Sequence, residues 1–304
     1  MVSARAARVD PSAKARLDDL YTHFNIGQSV ADPVWIVRRY ERPDDREVAG
    51  FIAAALAFGR VQSVLNSVDA VLRIMGPSPA AFVRAFDPHR DAPLFASIVH
   101  RWTRGADVAA LVWTLRQMFD HAGSIEGFFV EGADPAATDV GPAIESFSRR
   151  ALALDTAAVY GRSRPRPGVA YFFSRPSSGG ACKRLNLFLR WMVRSDRVDV
   201  GVWSRVRPAQ LIVPLDTHVI RVGQCLRLTR YRSPGWRMAA DITRALRRLD
   251  PVDPIKYDVS ICHLGMMNAC GFGASAGDTK CPLRGACTPG RRPRKKRAIL
   301  APST

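Results

Sequence analysis

A chain of 304 residues with 47% hydrophobic residues can bury a substantial core, as one large domain or as two that share an interface. Its net charge of +18, from 45 basic and 27 acidic residues, points to a polyanionic partner, nucleic acid ahead of an acidic membrane surface. No apolar run approaches the roughly 20 residues of a membrane helix, and the charged N-terminus lacks a secretory segment, so a cytoplasmic protein without a membrane partner is expected.

Residues 1–12 read as a loose basic arm, and Ala13 to Phe24 can form a first helix. Pro43-Asp44-Asp45-Arg46-Glu47 is a helix start, because acidic residues in the first turn complement the positive end of the helix dipole. Val48 to Phe58 is almost wholly apolar, and its alanines permit close helix packing. Gly59-Arg60 breaks it. Val61, Val64, Leu65, Val68, Val71, Leu72 and Met75 then recur at helical spacing up to Gly76-Pro77. Helices are predicted over 79–86, 93–103, 107–120, 125–130 and 143–153, and alternating strand patterns are nearly absent. Residues 160–180, rich in Arg, Pro, Ser and Gly, read as an irregular connection. Further helices are predicted over 181–194, 216–228 and 235–249, with a last one from about Pro251 to Asn268. Six basic residues in the seven from Arg291 to Arg297 mark 291–304 as a disordered tail. The fold class is therefore all-α, over residues 13–290.

Two residues carry the chemistry. Lys183 opens an apolar helix after Ser177-Ser178-Gly179-Gly180-Ala181-Cys182. Small residues before a helix let backbone N–H groups approach a phosphate, so Ser178, Gly179 and Gly180 are candidate DNA contacts. A lysine beside an apolar wall is a candidate nucleophilic amine; its plainer role, shared with Arg184, is a phosphate contact. Asp216 precedes a second apolar helix. Its plain role is the N-cap, and a capped carboxylate is also fixed in place to stabilise a developing cation. His218 reads as orienting a backbone carbonyl or Asp216, and it too is a candidate DNA contact.

Pro214-Leu215-Asp216-Thr217-His218-Val219-Ile220-Arg221-Val222 resembles the segment that carries the essential aspartate of the helix–hairpin–helix DNA glycosylases, the endonuclease III branch above all. The resemblance implies a two-lobed helical fold and a catalytic pair, Lys183 attacking the deoxyribose C1′ and Asp216 stabilising the sugar cation. The long separation between the two looks like that of the archaeal 8-oxoguanine glycosylases. The chain, above all 183–203 and 211–258, also resembles an uncharacterised bacterial family of unknown function. The implied activity is base excision with strand nicking by a monomer on double-stranded DNA that holds a damaged base, an oxidised purine as the favoured lesion. The rival is a non-catalytic DNA- or RNA-binding protein of the same fold.

Base excision requires the target nucleotide to be flipped out of the duplex. Phe58-Gly59-Arg60-Val61-Gln62-Ser63-Val64 looks similar to the glycosylase turn that wedges into the vacated stack, which makes Arg60 and Gln62 candidates. Phe188, Trp191 and Trp203 are near enough in sequence to stack on the base, although aromatics within a helix are more often core.

Four of the six cysteines fall late in the chain. Lys280-Cys281-Pro282-Leu283-Arg284-Gly285-Ala286-Cys287 resembles the end of the iron–sulfur loop of endonuclease III-like enzymes, with Cys270 standing for the first ligand. Asp278 stands where the second cysteine would be, and Cys262 could substitute if its helix turns it inward. Three readings of this 261–290 loop stay open: a [4Fe-4S] cluster with an atypical fourth ligand, a zinc site with His263 nearby, and no metal.

Overall fold

The computed structural model describes residues 12–25, 32–161, 167–266 and 281–286; the predicted arm and tail lie outside these, apart from Ser12. Helices dominate the described residues, and the strands amount to one two-residue pair. No helix among them is long and apolar enough to cross a membrane.

The Pro43–Ala55 helix starts as its sequence dictates, with Pro43 in the first turn beside Asp44 and Asp45. From Val48 onward every residue of it is buried. The Lys183–Val193 helix crosses it closely at Gly50, where an added Cβ would lie 2.7 Å from Met192 Cε. A side chain at position 50 would require the Met192 methyl to move aside. The Ser12–Phe24 helix meets the Asp258–Met266 helix, with Phe24 stacked on His263 at 5.4 Å. One continuous apolar core joins these elements. Phe188, Trp191 and Trp203 belong to it, at 2%, 0% and 5% exposure, and so are packing residues.

The helix predicted over 93–103 is absent. A 3-10 turn, Ala92–Phe95, leads instead into the antiparallel hairpin of β1 (Val99–His100) and β2 (Thr103–Arg104). The β-branched Val99 and Thr103 favour this, and tertiary bonds hold it. The buried His100 ring bonds Ser67 Oγ through Nδ1 and the Phe58 carbonyl through Nε2, each at 2.9 Å. The last helix begins at Asp258, later than predicted.

The Lys183–Val193 helix also conceals charge. Arg190 is ion-paired to Asp32 at 3.1 Å, Asp199 at 3.1 Å and Asp258 at 2.5 Å. Arg194, just past the helix end, pairs with Asp196 and Asp253 at 2.9 Å each, and with Asp199. Both guanidiniums are buried. The network ties this helix to the 195–200 turn, to Asp32 and to the last helix. Elsewhere, buried Glu47 accepts the Ile125 and Glu126 backbone N–H groups at 3.1 and 2.7 Å and the Trp203 indole N–H at 2.8 Å.

Arg190→Met should cost about 3–5 kcal/mol of stability in urea unfolding, because it takes the ion-pair partner from Asp32 and Asp258 and leaves Asp199 to Arg194 alone. A loss under about 1 kcal/mol would show the network to be dispensable. Burial pushes the Glu47 carboxyl from 4.5 up to about 7, against the pull of its hydrogen bonds. Between those values the folded state holds a proton that the unfolded state releases, so stability falls as pH rises through this window. The Glu47 share is on the order of 2 kcal/mol between pH 5 and pH 8. Urea midpoints should therefore depend less on pH in Glu47→Gln than in the wild type.

Candidate active site

A cavity of about 750 Å³ opens where the Lys183–Val193, Thr217–Cys225 and Asp258–Met266 helices converge on the Ala57–Gly59 turn. Lys183 and Asp216 both line it.

Lys183 is the first residue of its helix and is half-buried. It makes no hydrogen bond or ion pair with any described residue. Cys182 before it takes the left-handed conformation, φ 49°, which turns the chain from the 176–180 loop into the helix. Burial pushes the Cys182 thiol up to about 11. At neutral pH the Cys182 thiol is therefore protonated and a poor nucleophile.

Asp216 is the N-cap of the Thr217–Cys225 helix. Its Oδ1 accepts the His218 and Val219 backbone N–H groups, each at 2.8 Å. Its Oδ2 accepts the Cys262 thiol at 3.2 Å. The carboxylate is therefore oriented from both sides while still bordering the cavity. Asp32 and Asp258 line the same wall with Arg190. Burial pushes the Asp258 carboxyl up to about 6, with Arg190 opposing the rise and the Asp216 charge adding to it. Five carboxylates surround the two guanidiniums of the buried network; of these Asp32 and Asp258 reach the cavity, beside Arg190.

Several expected roles need correction. Arg184 is not a phosphate contact: its guanidinium is buried, donates to the Ala55 carbonyl at 3.2 Å and to the Tyr171 carbonyl, and lies 3.5 Å from the Tyr171 ring centroid. The His218 ring does not orient Asp216; its backbone N–H does so, and its Nδ1 is buried without a partner among the described residues. Ser178 and Gly179 spend their N–H groups on the Arg175 and Pro176 carbonyls, at 3.1 and 2.9 Å, which removes both amides from a phosphate cradle. Only Gly180 of that trio lines the cavity. Arg60 and Gln62 are exposed beside the cavity-lining Gly59 and Val61, with Gln62 bonded to Asn66 at 2.9 Å.

Cys262, a candidate ligand of the metal loop, donates its thiol to Asp216, and burial and the Asp216 charge push that thiol far up. His263 bonds the Val259 carbonyl through Nδ1 at 2.9 Å. Among the described residues no group of three or more His, Cys, Asp or Glu could hold a metal. Cys281 is buried, while Cys270, Asp278 and Cys287 lie outside the described residues.

Sequence reasoning missed Asp32 and Asp258 as site residues, and it assigned Cys262 to the metal loop instead of the cavity beside Asp216. The available signal was the four-residue spacing of Asp258 and Cys262, which sets both on one helix face. It also missed Phe58 and Tyr171, the aromatic side chains that do line the cavity.

The chain belongs to DUF2400, a protein family of unknown function whose model matches residues 32–267. No curated protein and no solved structure matches the chain. The matched stretch begins at Asp32 and includes every cavity residue described above.

Arg184→Ala should lower the unfolding midpoint, and in a DNA-binding titration it should give the same salt dependence as the wild type, since that slope counts phosphate contacts. A shallower slope would make Arg184 a phosphate contact. Cys262→Ser should carry the same iron or zinc content as the wild type by elemental analysis. Metal lost with the sulfur would restore Cys262 as a ligand.

Proposed function

We propose that this DUF2400-family protein is a DNA N-glycosylase with AP lyase activity, in which Lys183 is the nucleophile and Asp216 the electrostatic partner. The observation that carries this reading is the opening of both side chains, far apart in sequence, on one cavity large enough for a nucleotide. The Lys183 amine is not committed to any described residue. The Asp216 carboxylate is held by three donors and faces a cavity whose other walls add Asp32 and Asp258. A carboxylate fixed at the cavity edge favours the positive charge that develops on a sugar as its base departs. The overall charge of +18 suits the duplex itself.

In this mechanism the flipped nucleotide enters the cavity with its C1′ beside Lys183. The amine attacks C1′, the C1′–N bond breaks, and the base leaves with the bonding pair and takes up a proton. The amine loses its protons as the sugar ring opens to a Schiff base, and β-elimination then breaks the 3′ phosphate ester. The Asp216 carboxylate lowers the energy of the cationic sugar. The likeness of the Asp216 segment to the helix–hairpin–helix glycosylases, and of the chain spacing to the archaeal 8-oxoguanine branch, favours an oxidised purine as the substrate.

Borohydride trapping on duplexes with an abasic site or 8-oxoguanine is the direct test. A covalent protein–DNA adduct should form with the wild type and disappear in Lys183→Ala. Asp216→Asn keeps an oxygen for the cap and should lose base release by about 100-fold or more with lesion binding retained. Failure to trap any lesion, with DNA affinity intact, would leave a nucleic-acid-binding protein without base excision.

A further inference from the structure

The β1–β2 hairpin holds a large aromatic ring out in solvent. Trp102 at its tip is 50% exposed. The indole stacks on Phe58, with centroids 4.8 Å apart and planes 22° apart. Tyr171 meets Trp102 edge-on at 5.0 Å and Phe58 at 5.3 Å. Phe58 and Tyr171 both line the cavity, so an aromatic shelf leads from the cavity wall to the surface and ends at the indole.

The hairpin tip is held in a costly conformation. Arg101, next to Trp102, has φ 55°, in the left-handed region that suits glycine. Neighbouring structure enforces it, because the His100 ring is bonded on both sides and the Arg101 side chain lies against Gly59. The tip is a two-residue turn between His100 and Thr103, which needs a positive φ at its first central residue and so sets Trp102 at the outer end of the hairpin. Arg60, Arg101 and Arg104 are exposed, and no carboxylate pairs with their guanidiniums among the described residues; the Arg101 guanidinium lies over the Trp102 ring, 5.8 Å from its centroid, and Arg104 Nη1 donates to the Arg101 carbonyl at 2.6 Å.

A rigid aromatic face beside uncompensated guanidinium groups matches a nucleobase and its flanking phosphates. We infer that Trp102 is a stacking platform for an unpaired base of a nucleic-acid strand, with Arg60, Arg101 and Arg104 on the adjoining phosphates. This site lies outside the Lys183–Asp216 pair and needs no base-excision chemistry.

The test is fluorescence anisotropy with the full-length protein, titrated into a labelled undamaged duplex that carries one bulged base and into the fully paired duplex. Trp102→Ala should weaken binding to the bulged duplex by about 5- to 150-fold and to the paired duplex by less than about twofold, while Trp102→Phe keeps most of the difference. Arg101→Ala with Arg104→Ala should reduce the salt slope by about 2 on both duplexes. The ring is exposed, and thermal melting checks that each variant is folded. Unchanged affinity in Trp102→Ala, or an equal loss on both duplexes, would overturn the proposal. So would loss of binding to phosphatidylserine vesicles with nucleic-acid affinity untouched, which would assign the hairpin to a membrane surface. No excision is read, so a negative borohydride trap leaves the result standing.

Discussion

Arg190 lies buried among Asp32, Asp199 and Asp258, and Arg194 next to it among Asp196, Asp199 and Asp253. Charges removed from water are tolerated only when their partners are close and well aligned. The two arginines therefore admit one arrangement of the segments that bring those carboxylates. The same helix begins at Lys183, and the same Asp258 backs the wall that carries Asp216. The position of the amine relative to the carboxylate thus follows from an ion network deeper in the molecule, aided by the close crossing at Gly50.

The cavity draws its character from what each polar group already does. Asp216 is occupied by a helix cap on one oxygen and a thiol on the other, so its direction is set before any ligand arrives. Cys262 supplies that second restraint, and burial keeps it protonated for the task. Arg184, one residue beyond Lys183, turns inward and seals the aromatic wall through Tyr171 and the Ala55 carbonyl. Neighbours in sequence are thereby separated in function: Cys182 is buried as a thiol, Lys183 is open to the cavity, and Arg184 is structural.

On the outside, the excess of arginine is not spread evenly in its effect. Some guanidiniums are consumed by interior carboxylates or carbonyls, as at 184, 190 and 194. Those at 60, 101 and 104 are exposed without a carboxylate partner among the described residues, with Arg104 also donating to the Arg101 and Thr103 carbonyls. Net charge alone is blind to this distinction, because one guanidinium is equivalent to another until its neighbours are known.

The sequence by itself determined the helical class and the starts of several helices, because Pro43 with Asp44 and Asp45, the Val61–Met75 stripe and the Asp216 cap are local signals. It marked Lys183 and Asp216 as well, since each stands at a helix entrance with a recognisable residue type. Tertiary structure alone decided that these two share a cavity, that Cys262 faces Asp216, and that Arg190 and Arg194 gather carboxylates from segments remote in the chain. It also turned the 93–103 stretch into a hairpin, through a histidine bonded to Ser67 and to the Phe58 carbonyl. Helix caps and apolar periodicity depend on residues within a few positions of each other. Cavities, ion networks and exposed rings depend on which distant segments meet, and the burial that decides this is a property of the whole packed chain.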